Sequence, residues 1–339
     1  MPDSLARAAS SEMTTLTLPE VFALVNGDLQ EVENRLATVE RPDVPMTSEI
    51  MDHVLAMQGK RVRPLLLMLV SRLGNAPRDG VLWASTVIEL VHTATLLHDD
   101  CLDDTTLRRG VPTVNHQWGQ QAAILMGDYL FTKAFDLLCE HRLHGALHVL
   151  VHHVYRMTCG MNREYAGRRR ADLAVEEYLR IIDEKTGALF VSSCEIGALL
   201  GGLPEARAAE VSQFGRDLGY AFQIIDDVFD FTGDPTEIGK PVGTDFRLGF
   251  ATLPLLYALE DADPKRAEKV MRVFERGDVT DEEWETARSF VCEGTAIARA
   301  RETALDYAYS ARDRLVSFNG HEGVAPLLAT VEYMISRGR

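Results

Sequence analysis

The sequence predicts an all-α protein built as a single large bundle of long helices. Apolar residues recur at helical spacing in nearly every segment, and no alternating, strand-like run is longer than a few residues. Several predicted helices exceed the usual length of about 11 residues, which favours a bundle. No Pro/Ser-rich linker is long enough to separate domains. We therefore expect a disordered N-terminal tail over residues 1–18 and one all-α domain over residues 19–339.

The helix boundaries lie where the apolar spacing stops and Gly/Pro-rich turns begin. Such turns occur at residues 74–80, 109–115, 201–204 and 233–243. The predicted helices span, in chain order, residues 20–38, 48–57, 64–73, 79–103, 116–140, 144–166, 175–200, 205–231 and 253–260, with several more towards the C-terminus.

Composition excludes several classes of protein. Of the 339 residues 46% are hydrophobic, which suffices for a large core and excludes disorder as the dominant state. The formal net charge of −16 argues against a nucleic-acid partner and favours small or cationic partners. No stretch approaches the roughly 18 continuous apolar residues of a membrane span, and the N-terminus lacks the apolar core of a secretory signal. Five cysteines without a C-x-x-C pair indicate reduced core residues. We expect a cytoplasmic protein with no transmembrane segment.

Two similar aspartate clusters are the strongest functional signal. Residues 98–103 read HDDCLD and residues 225–230 read IDDVFD. In each cluster the first and last aspartates are four residues apart, so they project from one helix face about 6 Å apart along the axis. Both clusters follow strongly apolar helices, where unpaired carboxylates would be costly without a cation. Mg²⁺ suits them because it takes oxygen ligands and shares its coordination with substrate phosphates. One such cluster is equally consistent with a solvated acidic helix end, but two copies weaken that interpretation.

Basic residues surround the two clusters. Residues 59–64 (GKRVRP) hold three cations before a helix, and Arg108 and Arg109 follow the first cluster directly. Arginine forks and lysine charges suit diphosphate oxygens, so two foci predict two anionic substrates. Each focus alone is equally consistent with a solvated turn or a salt bridge. Further donors are Lys185, Thr186, Gln223 and Lys240.

Two other patterns are interpreted as ordinary surface. Residues 168–170 are three arginines in a loop and are expected to be a solvated surface run. His144, His148 and His152 recur every four residues, but no acidic or cysteine ligand accompanies them, so we expect an ordinary helix surface and not a metal site.

These motifs together resemble those of the trans-isoprenyl diphosphate synthase, or polyprenyl synthetase, family. The resemblance extends from about residue 20 to residue 339 and includes residues 59–64, His92, both aspartate clusters, the Lys185-Thr186 pair and the 239–240 loop. It implies the isoprenoid synthase fold, a helical bundle around a central cavity, and usually a homodimer. It also implies three magnesium ions bridging the clusters and the diphosphate of an allylic substrate, which is elongated with isopentenyl diphosphate.

The resemblance assigns roles residue by residue. The implied metal ligands are Asp99, Asp103 and Asp226, supported by Asp100, Asp227 and Asp230. The implied contacts of the allylic diphosphate are Arg108, Lys185, Thr186, Gln223 and Lys240. The implied contacts of isopentenyl diphosphate are Lys60, Arg63, His92 and Arg109. The catalytic set is then Asp99, Asp103, Arg108, Lys185, Asp226 and Lys240.

The chain departs from the family pattern at two places. Many relatives carry a further lysine where this chain has Phe250, so one phosphate contact is missing or replaced. The family's Gly-Glu/Gln-x-x-Gln/Asp pattern is reduced here to Gly160 and Glu164, and Glu164 is therefore a weak candidate for the site.

Product length is predicted from the residues below the first cluster. In the family, short-chain enzymes carry bulky aromatic residues at the positions of Ala94 and Thr95, so the resemblance implies an open tunnel and a hexaprenyl to decaprenyl product. On a helical wheel Thr95 lies one turn below Asp99, and Ile88 lies near the same face about 16 Å down the axis. The alternative is that Ala94 and Thr95 merely allow close helix packing.

Three other functions are consistent with parts of the sequence. A class I terpene cyclase shares the first cluster but leaves Lys60, Arg63 and the second cluster unexplained. An HD-type phosphohydrolase is suggested by His92 and residues 98–99 together with residues 152–153, but it leaves the second cluster and residues 59–64 unexplained. A non-catalytic subunit of a prenyltransferase would be expected to have lost aspartates that this chain retains.

Overall fold

The computed structural model describes residues 16–57, 59–108, 110–233, 242–318, 320–321 and 323–338. Within these ranges the chain forms helices α1 Leu18–Thr38, α2 Pro45–Ala56, α3 Val62–Ser71, α4 Arg78–Leu102, α5 Val114–Trp118, α6 Gln120–Glu140, α7 His144–Ala166, α8 Val175–Ile182, α9 Ala188–Gly201, α10 Glu205–Thr232, α11 Thr244–Leu248, α12 Leu253–Asp261, α13 Pro264–Arg276, α14 Asp281–Cys292, α15 Ala296–Arg314 and α16 Val324–Gly338. A π-helical segment, Asp183–Gly187, joins α8 to α9, and a 3₁₀ turn, Leu315–Phe318, joins α15 to α16.

The all-α prediction is confirmed, with one small addition. Strands β1 Leu107–Arg108 and β2 Val111–Pro112 form an antiparallel pair directly after α4. The helix predicted at 116–140 is divided at Gly119, whose φ of +91° lies in a region that L side chains rarely adopt. The helix predicted at 175–200 has the expected extent but contains the π segment, which helical periodicity does not reveal.

The apolar core has two parts that meet along α10. The larger part is formed mainly by α1 to α7, α9 and α16, and it includes Leu218 of α10. The second part is formed by α8 and α12 to α15, and it includes Ile225 of α10. Burial of a leucine or isoleucine side chain contributes about 1.5–3 kcal/mol. Helix α10 is therefore packed against the core along its length. This packing holds the second aspartate cluster, near the C-terminal end of the helix, in a fixed position.

Helix α4 carries the first cluster and lies in the middle of the larger core. Of the helices that the structure describes, it is the one long and apolar enough to cross a membrane, but 72% of its most apolar window is buried inside the protein. Its apolar character is thus accounted for by packing against other helices. The predicted tail falls largely on residues 1–15, which lie outside the described residues, and α1 begins at Leu18.

Candidate active site

The first aspartate cluster lies at the C-terminal end of α4. Asp103 caps the helix, and its backbone N–H donates to the Asp99 carbonyl oxygen at 2.9 Å. Asp100 points away from the solvent and is only 4% exposed. The β1–β2 hairpin brings Arg108 back to Asp100, where Nε and Nη2 donate to Oδ1 at 3.0 and 2.7 Å. Asp100 therefore acts here as the anchor of Arg108.

The second cluster extends into a chain of hydrogen bonds. Asp227 is 2% exposed and accepts a hydrogen bond from the Tyr178 hydroxyl at 2.6 Å and another from Gln223 Nε2 at 2.8 Å. The Thr186 hydroxyl donates to Gln223 Oε1 at 2.7 Å. Burial raises the pKa of Asp227 well above its ordinary value, while the bonds from Tyr178 and Gln223 oppose that rise. The chain of bonds links the π segment to the second cluster.

Asp230 has a different environment from its neighbours in the cluster. It is 1% exposed, and its carboxylate accepts hydrogen bonds from the backbone N–H groups of Thr244 and Asp245 at 3.3 and 3.1 Å. Its carbonyl oxygen accepts one from Gly243 N–H at 2.9 Å. These bonds satisfy amides at the start of α11. Asp230 thus holds Asp245 in place, a residue that the motifs did not single out.

A cavity of about 110 Å³ separates the two clusters. Polar side chains from both clusters and from the segments between them line it, together with the ring of Phe250. The polar lining residues are Asp103, Glu164, Tyr178, Lys185, Thr186, Gln223, Asp227, Asp245 and Thr252. The structure therefore brings together residues separated by about 150 positions in the sequence, as a site for one polyanionic substrate and its counter-ions requires.

Carboxylates outnumber cations among the described residues of this cavity. Burial raises the pKa of Asp103 to about 7, and Asp99, Glu164 and Asp245 add to the rise while Lys185 opposes it. Burial also raises the pKa of Glu164. Lys185 Nζ donates to Glu164 Oε2, and although burial lowers the pKa of Lys185, Glu164 and Asp99 raise it above its ordinary value. The cavity thus favours the binding of additional positive charge.

The donor set fits magnesium. Carboxylate oxygens are the ligands that Mg²⁺ prefers, and crowding of ionised carboxylates is relieved by a divalent cation. Within the described residues, no three carboxylate, imidazole or thiolate groups converge closely enough to hold an ion by themselves. An ion bound here would therefore share its coordination with water and with the oxygens of a substrate.

A second set of basic residues lies around the start of α3 and the middle of α4. Arg63 Nη1 lies 3.0 Å from His92 Nε2, and the guanidinium lies 5.2 Å from the centre of the Phe190 ring. Lys60 is exposed, and its Nζ donates to the Tyr333 hydroxyl at 3.1 Å. The third cation of this motif, Arg61, forms ion pairs with carboxylates of α1 and α4 and has a structural role.

The remaining predicted site residues are placed as follows. Arg108 lines a second, smaller cavity together with His92 and Asp100. Arg109 and Lys240 lie outside the described residues. Ala94 and Ile88 are fully buried in the core, and Thr95 is 6% exposed with its hydroxyl donating to the His92 carbonyl oxygen at 2.6 Å.

One interpretation of the sequence is wrong in part. Of the three arginines at 168–170, only Arg170 is exposed. Arg168 Nε donates to the Leu248 carbonyl oxygen, and Arg169 N–H donates to the Gly249 carbonyl oxygen at 2.7 Å. The run therefore packs on the loop before Phe250, because these carbonyl oxygens offer acceptors that the local sequence does not reveal.

Comparison with known proteins identifies the family. The model of the polyprenyl synthetase family matches residues 44–291. The chain belongs to the polyprenyl synthetase family. It is 35% identical over 317 residues to nonaprenyl diphosphate synthase of Mycobacterium tuberculosis, covering 93% of this chain and 94% of that protein. It is also 35% identical over 280 residues to geranylgeranyl diphosphate synthase of Sulfolobus acidocaldarius, covering 80% of this chain and 82% of that protein.

A solved structure of the same family has the same fold. Polyprenyl synthase from Caulobacter crescentus, crystallised with calcium and isoprenyl diphosphate, superposes with a TM-score of 0.91 at 32% identity, covering 97% of this chain and 100% of that one. The predicted family, isoprenoid synthase fold and prenyl-transferring enzyme class are confirmed. Polyprenyl synthetases act on prenyl diphosphates with divalent metal ions, so the resemblance to a phosphohydrolase was incidental.

Proposed function

We propose that this chain is a magnesium-dependent trans-prenyltransferase that condenses isopentenyl diphosphate with an allylic prenyl diphosphate, giving a hexaprenyl to decaprenyl product. The observation that carries the proposal is the cavity between the two aspartate clusters, where Lys185, Thr186 and Gln223 lie among carboxylates of both clusters. A diphosphate with its counter-ions matches this mixture of charges.

The allylic diphosphate is assigned to that cavity. Asp99, Asp103 and Asp226 would hold three magnesium ions, and bound magnesium would supply positive charge for the diphosphate as it leaves. Lys185, paired with Glu164, presents a protonated amine to the same space, and the Thr186 hydroxyl is oriented by Gln223. The other proposed contacts are Lys240 and Arg108, and Arg108 is held by Asp100 and lines the second cavity. These residues favour cleavage of the allylic C–O bond because they stabilise the charge that develops on the leaving group.

Isopentenyl diphosphate is assigned to the second basic set. Lys60, Arg63, His92 and Arg109 would bind a diphosphate that the reaction retains, so this substrate needs cations and not a leaving-group metal. The contact between Arg63 and His92 limits the freedom of both side chains before the substrate arrives.

The carbon–carbon bond then forms in a space protected from water. The alkene of isopentenyl diphosphate attacks the allylic cation, and loss of a proton restores a double bond. The departed diphosphate is the proposed base. Glu164 is already engaged in an ion pair with Lys185, and we do not assign it as the base.

A long product requires space for the growing chain below the first cluster. Ala94, Thr95 and Ile88 lie there on α4, all buried and none aromatic. Because relatives with quite different product names share the same identity with this chain, overall similarity does not decide the length. We assign the control of length to these three residues, with Ile88 deepest.

The proposed partner for assembly is a second copy of this chain. Large apolar side chains are exposed on the neighbouring helices α6 and α7, and Leu125 and Tyr155 are each 68% exposed. A homodimer that covers this face would remove them from water. Light scattering of the wild type and of a Leu125→Glu, Tyr155→Glu variant tests this, and a wild type that is monomeric at micromolar concentration would contradict it.

We place the enzyme in the cytoplasm. The cysteines that the structure describes form no disulfide bonds, in keeping with a reducing compartment.

The decisive experiment measures elongation. Purified protein is incubated with Mg²⁺, labelled isopentenyl diphosphate and each allylic starter in turn, and the products are separated by chain length. Elongation to six or more isoprene units is expected, and it should be lost when a chelator removes the metal. Consumption of an allylic diphosphate without incorporation of label would instead indicate a terpene cyclase. Absence of any reaction with every starter would favour a non-catalytic subunit.

A further inference from the structure

The π segment that carries Lys185 and Thr186 is held by a separate partner at each of four successive residues. Lys185 pairs with Glu164, and Thr186 donates to Gln223, both on the side of the cavity. Glu184 accepts from Arg163 at 3.1 Å. Asp183 is held from outside the cavity, and the proposed mechanism has not used it. π-helical turns inside α-helices are rare and occur frequently at functional sites.

Asp183 is clamped by two arginines from different helices. Arg216 of α10 donates to it through Nε at 2.8 Å and Nη2 at 2.6 Å, which is a fork on both carboxylate oxygens. Arg156 of α7 donates through Nη2 at 2.7 Å. The Asp183 side chain is 8% exposed, whereas those of Arg156 and Arg216 are 23% and 38% exposed, so a buried carboxylate is held by arginines that reach it from the surface. The clamp therefore ties the π segment to α7 and α10 at once.

The clamp and the Lys185 side chain lie on opposite sides of the segment. Asp183 and Lys185 are two residues apart, which is roughly half a helical turn. Arg156 and Arg216 line an open cleft that shares no lining residue with the cavity between the aspartate clusters. Asp183 therefore does not line the substrate cavity, and we expect a change there to act chiefly through the position of the backbone.

The backbone of the segment fits closely against its neighbours. A Cβ atom on Gly160 of α7 would lie 2.6 Å from the Lys185 nitrogen, and one on Gly219 of α10 would lie 3.1 Å from the Gly187 Cα atom. Because glycine has only a hydrogen atom in place of a side chain, α7 and α10 pack closely against the backbone of the π segment. The charges around Asp183 can then fix the register of the segment against both helices.

We propose that Asp183, clamped by Arg156 and Arg216, is a positioning residue that fixes the π segment so that Lys185 and Thr186 address the allylic diphosphate. The inference rests on the proposed function of the cavity. It predicts that the clamp affects the allylic substrate and not isopentenyl diphosphate, whose proposed contacts Lys60 and Arg63 lie on other elements.

The test compares Asp183→Asn with a matched control. Asp28 is also held by two arginines, since it accepts from Arg72 Nη2 at 3.1 Å and Arg78 Nε at 2.8 Å, but it belongs to α1 and has no contact with the cavity lining. In Asp183→Asn the Michaelis constant for the allylic diphosphate should rise roughly 10-fold or more, because small misplacements of binding groups have large effects. The constant for isopentenyl diphosphate should stay within about twofold, and Asp28→Asn should leave both unchanged.

A second readout does not depend on turnover. Calorimetric titration with inorganic diphosphate and Mg²⁺ should show weaker binding to Asp183→Asn than to the wild type by a similar factor. Arg216→Lys keeps the positive charge but loses the paired hydrogen bonds to both carboxylate oxygens, so we expect an intermediate weakening of binding. This variant serves as the test if Asp183→Asn does not fold. The inference would be overturned if Asp183→Asn kept wild-type activity and an unchanged Michaelis constant for the allylic diphosphate. It would also be overturned if the Michaelis constants for both substrates rose equally. A wild type that binds diphosphate but elongates nothing would overturn the proposed function alone.

Discussion

Replacing Tyr178 by phenylalanine removes one hydroxyl group from the supports of the second aspartate cluster. That hydroxyl donates to Asp227 at 2.6 Å, and both residues are at most 3% exposed. Removal of one partner leaves the other buried polar group without its hydrogen bond, which costs about 1–3 kcal/mol. We therefore expect Tyr178→Phe to lower the free energy of unfolding by about 2 kcal/mol. At an unfolding entropy of about 2.1 cal/mol/K per residue, this lowers the melting temperature by about 3 °C.

The same change should also slow the reaction. Asp227 is fixed by Tyr178 and Gln223, and Gln223 orients Thr186, so one lost bond loosens both the second cluster and a proposed diphosphate contact. We expect kcat with the allylic substrate to fall roughly 10-fold. Unfolding by urea and steady-state kinetics at saturating Mg²⁺ measure the two effects.

Tyr257→Phe is the matched control. Its hydroxyl lies 3.1 Å from the Thr303 hydroxyl in the same part of the core, but the pair is neutral and Tyr257 does not line the cavity. In this variant the free energy of unfolding should fall by about 1 kcal/mol or less, and the activity should be unchanged. If Tyr178→Phe costs no more stability than Tyr257→Phe and turns over normally, the chain of bonds has no part in catalysis.

Three further predictions test the assignment of sites. Asp99→Ala or Asp226→Ala should lower turnover by orders of magnitude with the fold intact by circular dichroism, since each removes a proposed ligand of the leaving-group metals; near-normal turnover in both would refute the metal assignment. Lys60→Ala should raise the Michaelis constant for isopentenyl diphosphate more than that for the allylic substrate, and the opposite order would mean that the two sites are exchanged. Ala94→Phe combined with Thr95→Phe should shorten the product to a few isoprene units by chromatography, and an unchanged distribution from an active variant would place the growing chain elsewhere.

The helical fold was predictable because its signals are local. Apolar spacing over ten or more residues decides a helix, and Gly/Pro turns decide its ends, so most boundaries agree within a few residues. The aspartate clusters were visible for the same reason, since residues four apart share a helix face. The π segment was not predictable, because its extra residue is stabilised by partners on α7 and α10 that lie far away in the sequence.

The spacing of the aspartates alone could not separate their roles within the clusters, which only the family resemblance distinguished. Asp226, Asp227 and Asp230 look alike in the motif, yet Asp227 accepts from Tyr178, 49 residues earlier, and Asp230 accepts backbone amides at the start of α11. Tyr178 and Asp245 were missed because each is a single polar residue without a repeated pattern. The local signal for Asp245 was its place in the first turn of α11, where an acidic side chain is favoured by the helix dipole.

The exchange of a lysine for Phe250 illustrates how tertiary contacts change the meaning of a substitution. The ring of Phe250 lines the cavity, with Lys185 Nζ 5.9 Å from its centre and the Arg168 guanidinium 5.6 Å from it. A lysine at this position would place a third cation beside two others, whereas the face of an aromatic ring attracts each by about 0.5–1 kcal/mol. Arg168, which donates to the Leu248 carbonyl oxygen, thus places a positive charge beside Phe250, where many relatives carry a lysine. The departure from the family pattern is therefore better understood as a rearrangement of cations around an aromatic ring than as the loss of one.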